Sequence, residues 1–329
     1  MTGTFPGDGS PSMVRTPRRE DVMSQTVARR GAGLRGPAAP PMPEVAGVSH
    51  RFIQTSRLRV HVAEAGAGRP VVLLHGPFQH WYAWREVIPA LAASYRVICP
   101  DLRGHGWTET PPSGYGTAEL AGDVLSLLDA LGLDTVALAG HDAGGRVGFH
   151  LALFAPHRIE RLLAVATLHP FWKISQLAPQ GWRYWWTPLV ETPLVGRWMV
   201  RHVPALTRAV LRAGRRGQVA PNDQVVAHFA AIAREPGHAR AYEALMHEYA
   251  YHEIVPNLLG RYRPYRLTVP TLMLNGTGDP FVSAAALDGY QGHADDLQIR
   301  RVAGAGHYLP EERPELVAAA AAAFFGGSG

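Results

Sequence analysis

The 329-residue sequence contains one cysteine, Cys99, and one lysine, Lys173. A lone cysteine excludes an intramolecular disulfide, which fits a reducing compartment and sets the expectation of a cytoplasmic protein. Lysine is nearly absent among the 32 basic residues, while Ala, Gly and Pro are plentiful; this reflects coding bias rather than a functional choice. No apolar run reaches about 18 residues, so no membrane span is expected. The N-terminus lacks the apolar stretch of a secretory signal. Charge of one sign is also scarce. The formal net charge is +5, of which the first 46 residues supply +2 (six Arg against four acids) and the rest +3. So small a surplus does not argue for nucleic acid. The nearest approach to a basic cluster, Arg208, Arg212, Arg215 and Arg216, reads as the solvated face of a helix. No Cys/His group has metal-ligand spacing and no loop cradles phosphate, so neither metal nor cofactor is expected. His105 and His141 read as structural.

What is present is a globular chain, 47% hydrophobic, long enough for about two domains. Residues 1–46 are rich in Gly, Pro, Ser and Arg without periodicity and read as a disordered extension. From Val48 onward strand and helix patterns alternate. Strands are expected over Arg51–Gln54, Leu58–Ala63, Pro70–Leu74, Tyr95–Cys99, Thr135–Ala139, Ile159–Ala166, Thr271–Asn275 and Leu297–Val302. Helices are expected over Trp81–Ala93, Thr117–Leu131, Gly144–Phe154, Ser283–Tyr290 and Pro314–Phe325. Such alternation predicts an α/β fold, a mostly parallel central sheet with helices on both faces. Residues 170–266 break the rhythm, holding five of the eight Trp and no convincing strand. They read as a helical cap, or lid, inserted between strands of a core formed by 47–169 and 267–329.

Gly140-His141-Asp142-Ala143-Gly144 falls between a strand and a helix and has the form of a nucleophile elbow with Asp in the nucleophile's place. The competing reading of this segment alone is an Asp that caps the next helix. Two later segments weigh against that. Asp279 follows the Thr271 strand and His307 follows the Leu297 strand. The order nucleophile, acid, histidine, each at the C-terminal end of a strand, is that of the hydrolase fold.

With His75-Gly76-Pro77-Phe78, Trp81, Trp84, the run Pro100–Trp107 and the run Gly306–Glu315, these segments resemble the epoxide hydrolase and haloalkane dehalogenase branch of the α/β-hydrolase superfamily. The resemblance covers the chain from Val48 on. It implies the α/β-hydrolase fold, Asp142 as nucleophile, His307 as base and Asp279 as its partner. It also implies a small apolar organic substrate, an epoxide opened to a vicinal diol through an ester on Asp142. A carboxylate suits attack at saturated carbon because it is already anionic at neutral pH. Dehalogenation by the same three residues, or a non-hydrolytic or ligand-binding role, are the alternatives. A homodimer is compatible with the sequence.

The sequence departs from the family in the oxyanion hole and the cap. The N–H of Ala143 is one expected oxyanion donor. The second falls at Pro77, which has none, so Phe78 would have to donate instead. Of the two cap tyrosines that the family uses to hold the epoxide oxygen, the first position falls at Trp186, with Tyr184 nearby. The second falls at Met246, with Tyr249 one turn away and His247 adjacent. Ala143 also replaces the Arg or Trp that dehalogenases carry after the nucleophile, and Arg146 lies one turn into the helix.

Overall fold

The computed structural model describes residues 1–3, 40–177, 187–215 and 222–327. The chain divides into Met1–Ala38 and Ala39–Gly329, and all that follows concerns the second unit. Most of the expected N-terminal extension lies outside the described residues. Its last part does not: Met42 and Val45 pack against the core.

Eight strands form one sheet: β1 (Ser49–Gln54), β2 (Arg59–Ala65), β3 (Pro70–Leu74), β4 (Arg96–Pro100), β5 (Val136–His141), β6 (Ile159–Val165), β7 (Thr271–Gly276) and β8 (Leu297–Val302). Their spatial order is β1-β2-β4-β3-β5-β6-β7-β8. The β1–β2 and β2–β4 pairs are antiparallel and every later pair is parallel. Inner strands such as Val71-Val72-Leu73-Leu74 are fully buried because both faces are covered. Val71 and Leu73 join the apolar layer on one face, and Val72 and Leu74 join the other.

The helices of the core are α1 (Ile88–Ala92), α2 (Thr117–Ala130) and α3 (Ala143–Phe154). Between β6 and β7 come α4 (Ile174–Leu177), α5 (Thr187–Glu191), α6 (Val195–His202), α7 (Pro204–Ala213), α8 (Asp223–Ala233), α9 (Pro236–Glu248), a π-helical turn over Tyr249–Ile254, and α10 (Val255–Leu258). No strand lies in this stretch among the described residues. After β8 follow α11 (Leu309–Glu312) and α12 (Pro314–Gly326).

Two expected helices differ. Trp81–Ala93 is split into a 3-10 turn, Trp81–Trp84, and α1, because Asp101 Oδ1 takes the Trp81 N–H at 2.8 Å and Pro89 restarts the helix. Ser283–Tyr290 is mostly not helical; only Ala285–Leu287 forms a 3-10 turn. There Asp288 is extended and Gly289 turns left-handed, while the Asp288 carbonyl accepts from His169 Nε2 and Gln176 Nε2.

Candidate active site

The corner between β5 and α3 is a backbone arrangement that only particular residues permit. Asp142 sits at φ 47° and ψ −110°, outside the regions a side chain ordinarily favours. The flanking glycines make the corner possible. A Cβ on Gly140 would lie 2.3 Å from the Gly144 carbonyl oxygen, and one on Gly144 would lie 2.4 Å from the Leu74 carbonyl oxygen. The Asp142 side chain makes no cap bond to the helix it precedes, so the capping alternative is set aside. Instead its Oδ2 lies 2.7 Å from His307 Nε2.

His307 stands on the loop after β8, and its Nδ1 lies 2.9 Å from Asp279 Oδ2 on the loop after β7. The other Asp279 oxygen accepts the N–H groups of Phe281 (2.7 Å) and Val282 (3.1 Å), which fixes the carboxylate. Burial alone would lower the His307 pKa, but the flanking carboxylates Asp279 and Asp142 outweigh it and raise the pKa to about 10. Burial likewise disfavours the Asp142 anion, but the bond to His307, with Arg146 and His141 further off, brings its carboxyl pKa down to about 2. The two carboxylates thus favour the charged form of the imidazole between them.

Beside Asp142, His75 fixes the loop after β3: its Nε2 accepts the Leu102 N–H at 3.0 Å and its Nδ1 donates to the Gly76 carbonyl at 2.9 Å. This loop carries Pro77 and Phe78 to the cavity wall. Phe78 takes φ +59°, and its ring packs on Tyr242 at 4.8 Å. Ala143, the first residue of α3, has no acceptor one turn back for its N–H.

The cavity above Asp142 has a volume of about 320 Å³ and an apolar lining that includes Trp172, Val210, Met246, Phe281 and Tyr308. Its polar wall comes from Arg146, Thr187, Glu191 and Tyr249. Arg146 Nη1 is 3.4 Å from Asp142 Oδ1, and its guanidinium stacks 3.7 Å from the centre of the Tyr249 ring. Burial raises the Tyr249 pKa, which keeps the phenol protonated. A second, smaller cavity of about 50 Å³ shares Arg146, Trp172 and Tyr249 with the first.

The structure thus brings together Asp142, His307, Asp279, Pro77, Phe78, Ala143, Met246 and Tyr249. Trp186 and Tyr184 lie outside the described residues. His247 is a correction: it does not line the cavity but faces the Glu191 carbonyl (Nδ1 to O 3.2 Å) and the Tyr251 ring. It sits beside Met246 on α9, and one residue along a helix turns the side chain by about 100°. The solvated-face reading of the arginine run also fails at Arg215, which is buried against Glu311 at 2.9 Å. Trp172, Glu191 and Phe281 were not anticipated. Only the break in strand–helix rhythm from Pro170 hinted that the chain turns over the site there.

The chain belongs to the α/β-hydrolase fold family, whose model matches residues 69–314. Within that family it is epoxide-hydrolase-like. It is 30% identical over 296 residues to the "Soluble epoxide hydrolase" of Corynebacterium sp. (strain C12), covering 84% of this chain and 97% of that protein. Similarity to human "Epoxide hydrolase 4" is 27% over 305 residues, covering 88% and 82%. Among solved structures, "Epoxide hydrolase CorEH without ligand" superposes with a TM-score of 0.74 at 29% identity, covering 85% of this chain and 99% of that one. Among the described residues no helix is long and apolar enough to cross a membrane, and no group of three or more His, Cys, Asp or Glu could hold a metal ion.

Proposed function

We propose that the enzyme opens an epoxide to a vicinal diol through an ester on Asp142, with the helices between β6 and β7 acting as the cap over the reaction. The observation that carries this reading is the Asp142–His307–Asp279 array at 2.7 and 2.9 Å beneath a largely apolar cavity. The Asp142 carboxylate attacks an epoxide carbon and the ring C–O bond breaks. The Tyr249 phenol stands in the cavity as a donor to the departing oxygen. Esterification removes the Asp142 charge that helped hold the proton on His307, so that proton is released to balance the new alkoxide. Neutral His307 then takes a proton from water, which attacks the ester carbonyl carbon. Asp279 stabilises the imidazolium that forms. The N–H groups of Ala143 and Phe78 hold the oxyanion until the diol leaves and the carboxylate is regenerated.

Asp142→Ala is expected to abolish turnover, and His307→Gln to form the ester without hydrolysing it. Intact-mass spectrometry of the His307 variant with a turned-over epoxide reads this directly. No adduct with a substrate that the wild type consumes would overturn the mechanism.

Arg146 supports a second reading. A cation 3.4 Å from the nucleophile suits a substrate that carries a carboxylate, and halide can leave from the same carbon. Halide release measured beside diol formation separates the two.

A further inference from the structure

The triad histidine is held from the cap side as well as from the core. The His307 N–H donates to the Gly214 carbonyl at 2.7 Å, and Gly214 closes the C-terminal end of α7. No side chain fits between them: a Cβ on Gly214 would lie 2.6 Å from Tyr308 Cε2 and 3.1 Å from His307 Cβ. The next residue, Arg215, reaches down from the same corner. Its Nη2 donates to Glu311 Oε2 at 2.9 Å, and its guanidinium lies 4.9 Å from the centre of the Tyr308 ring. Both side chains are almost wholly buried, at 7% and 2% exposure, so this is not a surface ion pair.

Glu311 passes the constraint on. Its Oε1 accepts from Gln79 Nε2 at 2.7 Å, and its Oε2 also accepts from Arg85 at 3.2 Å. Gln79 Oε1 lies 3.1 Å from His141 Nδ1, and His141 Nε2 donates to the His307 carbonyl at 2.9 Å. The His307 backbone is thus held on both sides: its N–H goes to the Gly214 carbonyl, and its C=O accepts from His141, whose ring packs against the Gln79 amide that donates to Glu311, the partner of Arg215.

We infer that Gly214 and Arg215 form a latch by which the seated helices between β6 and β7 set the orientation of His307, making Arg215 a positioning residue for ester hydrolysis. The inference rests on the reading of His307 as the water-activating base. Ester formation needs an ionised Asp142 and a proton for the new alkoxide, but no water aligned with the imidazole, so it is far less sensitive to the latch. Ester hydrolysis needs a water, the imidazole and the ester carbonyl in line, and misplacement by about 1 Å costs on the order of 100-fold.

The test compares Arg215→Met and Arg215→Lys in the full chain, with His307→Gln as reference. In single-turnover experiments with an epoxide, Arg215→Met is expected to lengthen the lifetime of the ester by about 10- to 100-fold while the rate of its formation changes little. Arg215→Lys, which keeps the charge but not the planar fork, should recover part of that loss. A spectroscopic readout stands apart from the chemistry. The downfield ring N–H proton of His307, assigned by its loss in His307→Gln, should broaden or shift in Arg215→Met and return toward the wild-type position in Arg215→Lys. Equal slowing of both steps, or an unchanged ring N–H signal in Arg215→Met, overturns the latch. If His307→Gln accumulates ester and Arg215→Met does not, the latch falls and the ester mechanism stands. If His307→Gln forms none, the mechanism falls, and the ring N–H signal still decides whether the latch orients the imidazole. Should Arg215→Met fail to fold, Arg215→Lys carries both readouts with a smaller expected change.

Discussion

The corner at Asp142 and the corner at Leu194 both hold a non-glycine residue at positive φ, 47° and 67°, and they could hardly be more different. At Asp142 every neighbour enforces the strain: glycines admit the close backbone, the Asp142 N–H donates to the Val165 carbonyl at 3.0 Å, and Thr167 Oγ1 donates to the Asp142 carbonyl at 3.1 Å. At Leu194 the residue is 71% exposed and a three-residue turn is closed by the Val195 N–H on the Pro193 carbonyl at 2.8 Å. Strain that points a side chain into a cavity is held by buried backbone and side chains together, whereas strain in this surface connection is held by local turn and helix-start bonds, which include Gly196 N–H to the Thr192 carbonyl at 2.8 Å and Trp198 N–H to the Leu194 carbonyl at 3.0 Å.

The largest effect that would sharpen this contrast comes from Gly144→Ala. The new Cβ would meet backbone, the Leu74 carbonyl oxygen, which cannot swing aside. A loss of about 3 kcal/mol or more, or failure to fold, is expected in thermal or denaturant unfolding. An unchanged melting temperature would mean that the corner is less constrained than its geometry requires.

Next in size is a pH effect. Asp142 is held ionised chiefly by its bond to His307, so ester formation should stay flat through the neutral range and fall only toward about pH 2. In His307→Gln the counter-cation is gone, and the acid edge of ester formation should move up by about one pH unit or more. The sign follows from losing an opposite charge, and an edge that stays put would separate the two side chains electrostatically. The same pair shapes stability. Asp142, with its pKa depressed, contributes above the usual carboxylate range and loses that contribution as pH falls. His307, with its pKa raised to about 10, contributes fully below the usual imidazole pKa and loses that as pH rises through about 10.

The smallest effect is at the other corner. Leu194→Gly should leave turnover unchanged and stabilise the fold by up to about 1 kcal/mol, since glycine adopts this conformation without strain and the leucine is mostly exposed. Destabilisation in the melting curve would show that the Leu194 side chain contributes more than its exposure suggests.

The difference between the two regions also explains what could be read from the sequence. The strands and the Asp142, Asp279 and His307 positions were legible because each rests on a local backbone demand, a buried β-run closed by glycine or by an acid that binds the following N–H groups. The cavity wall was not. Trp172 is placed by the Asn257 amide, which, turned so that its oxygen faces the indole, accepts from its N–H at 2.7 Å, a contact across 85 residues of chain. Arg215 looked like one of several helix-surface arginines because its partner Glu311 lies nearly a hundred residues away. His247 was named as a neighbour of Met246, but the next residue along a helix faces elsewhere, and only Met246 reaches the cavity wall. Ser283–Tyr290 has helical composition, but long-range bonds to the Asp288 carbonyl hold the end of that segment extended.

Cys99 is the last residue but one of β4 and has no exposed surface, and burial pushes its thiol pKa well up. Thiols are ordinarily the first groups on a protein to be alkylated by strained ethers, but only as thiolates. Here the single sulfhydryl is both shielded and protonated. A covalent mark of one substrate mass is therefore not to be assigned to the thiol, and the protein carries its own control against that commonest misreading.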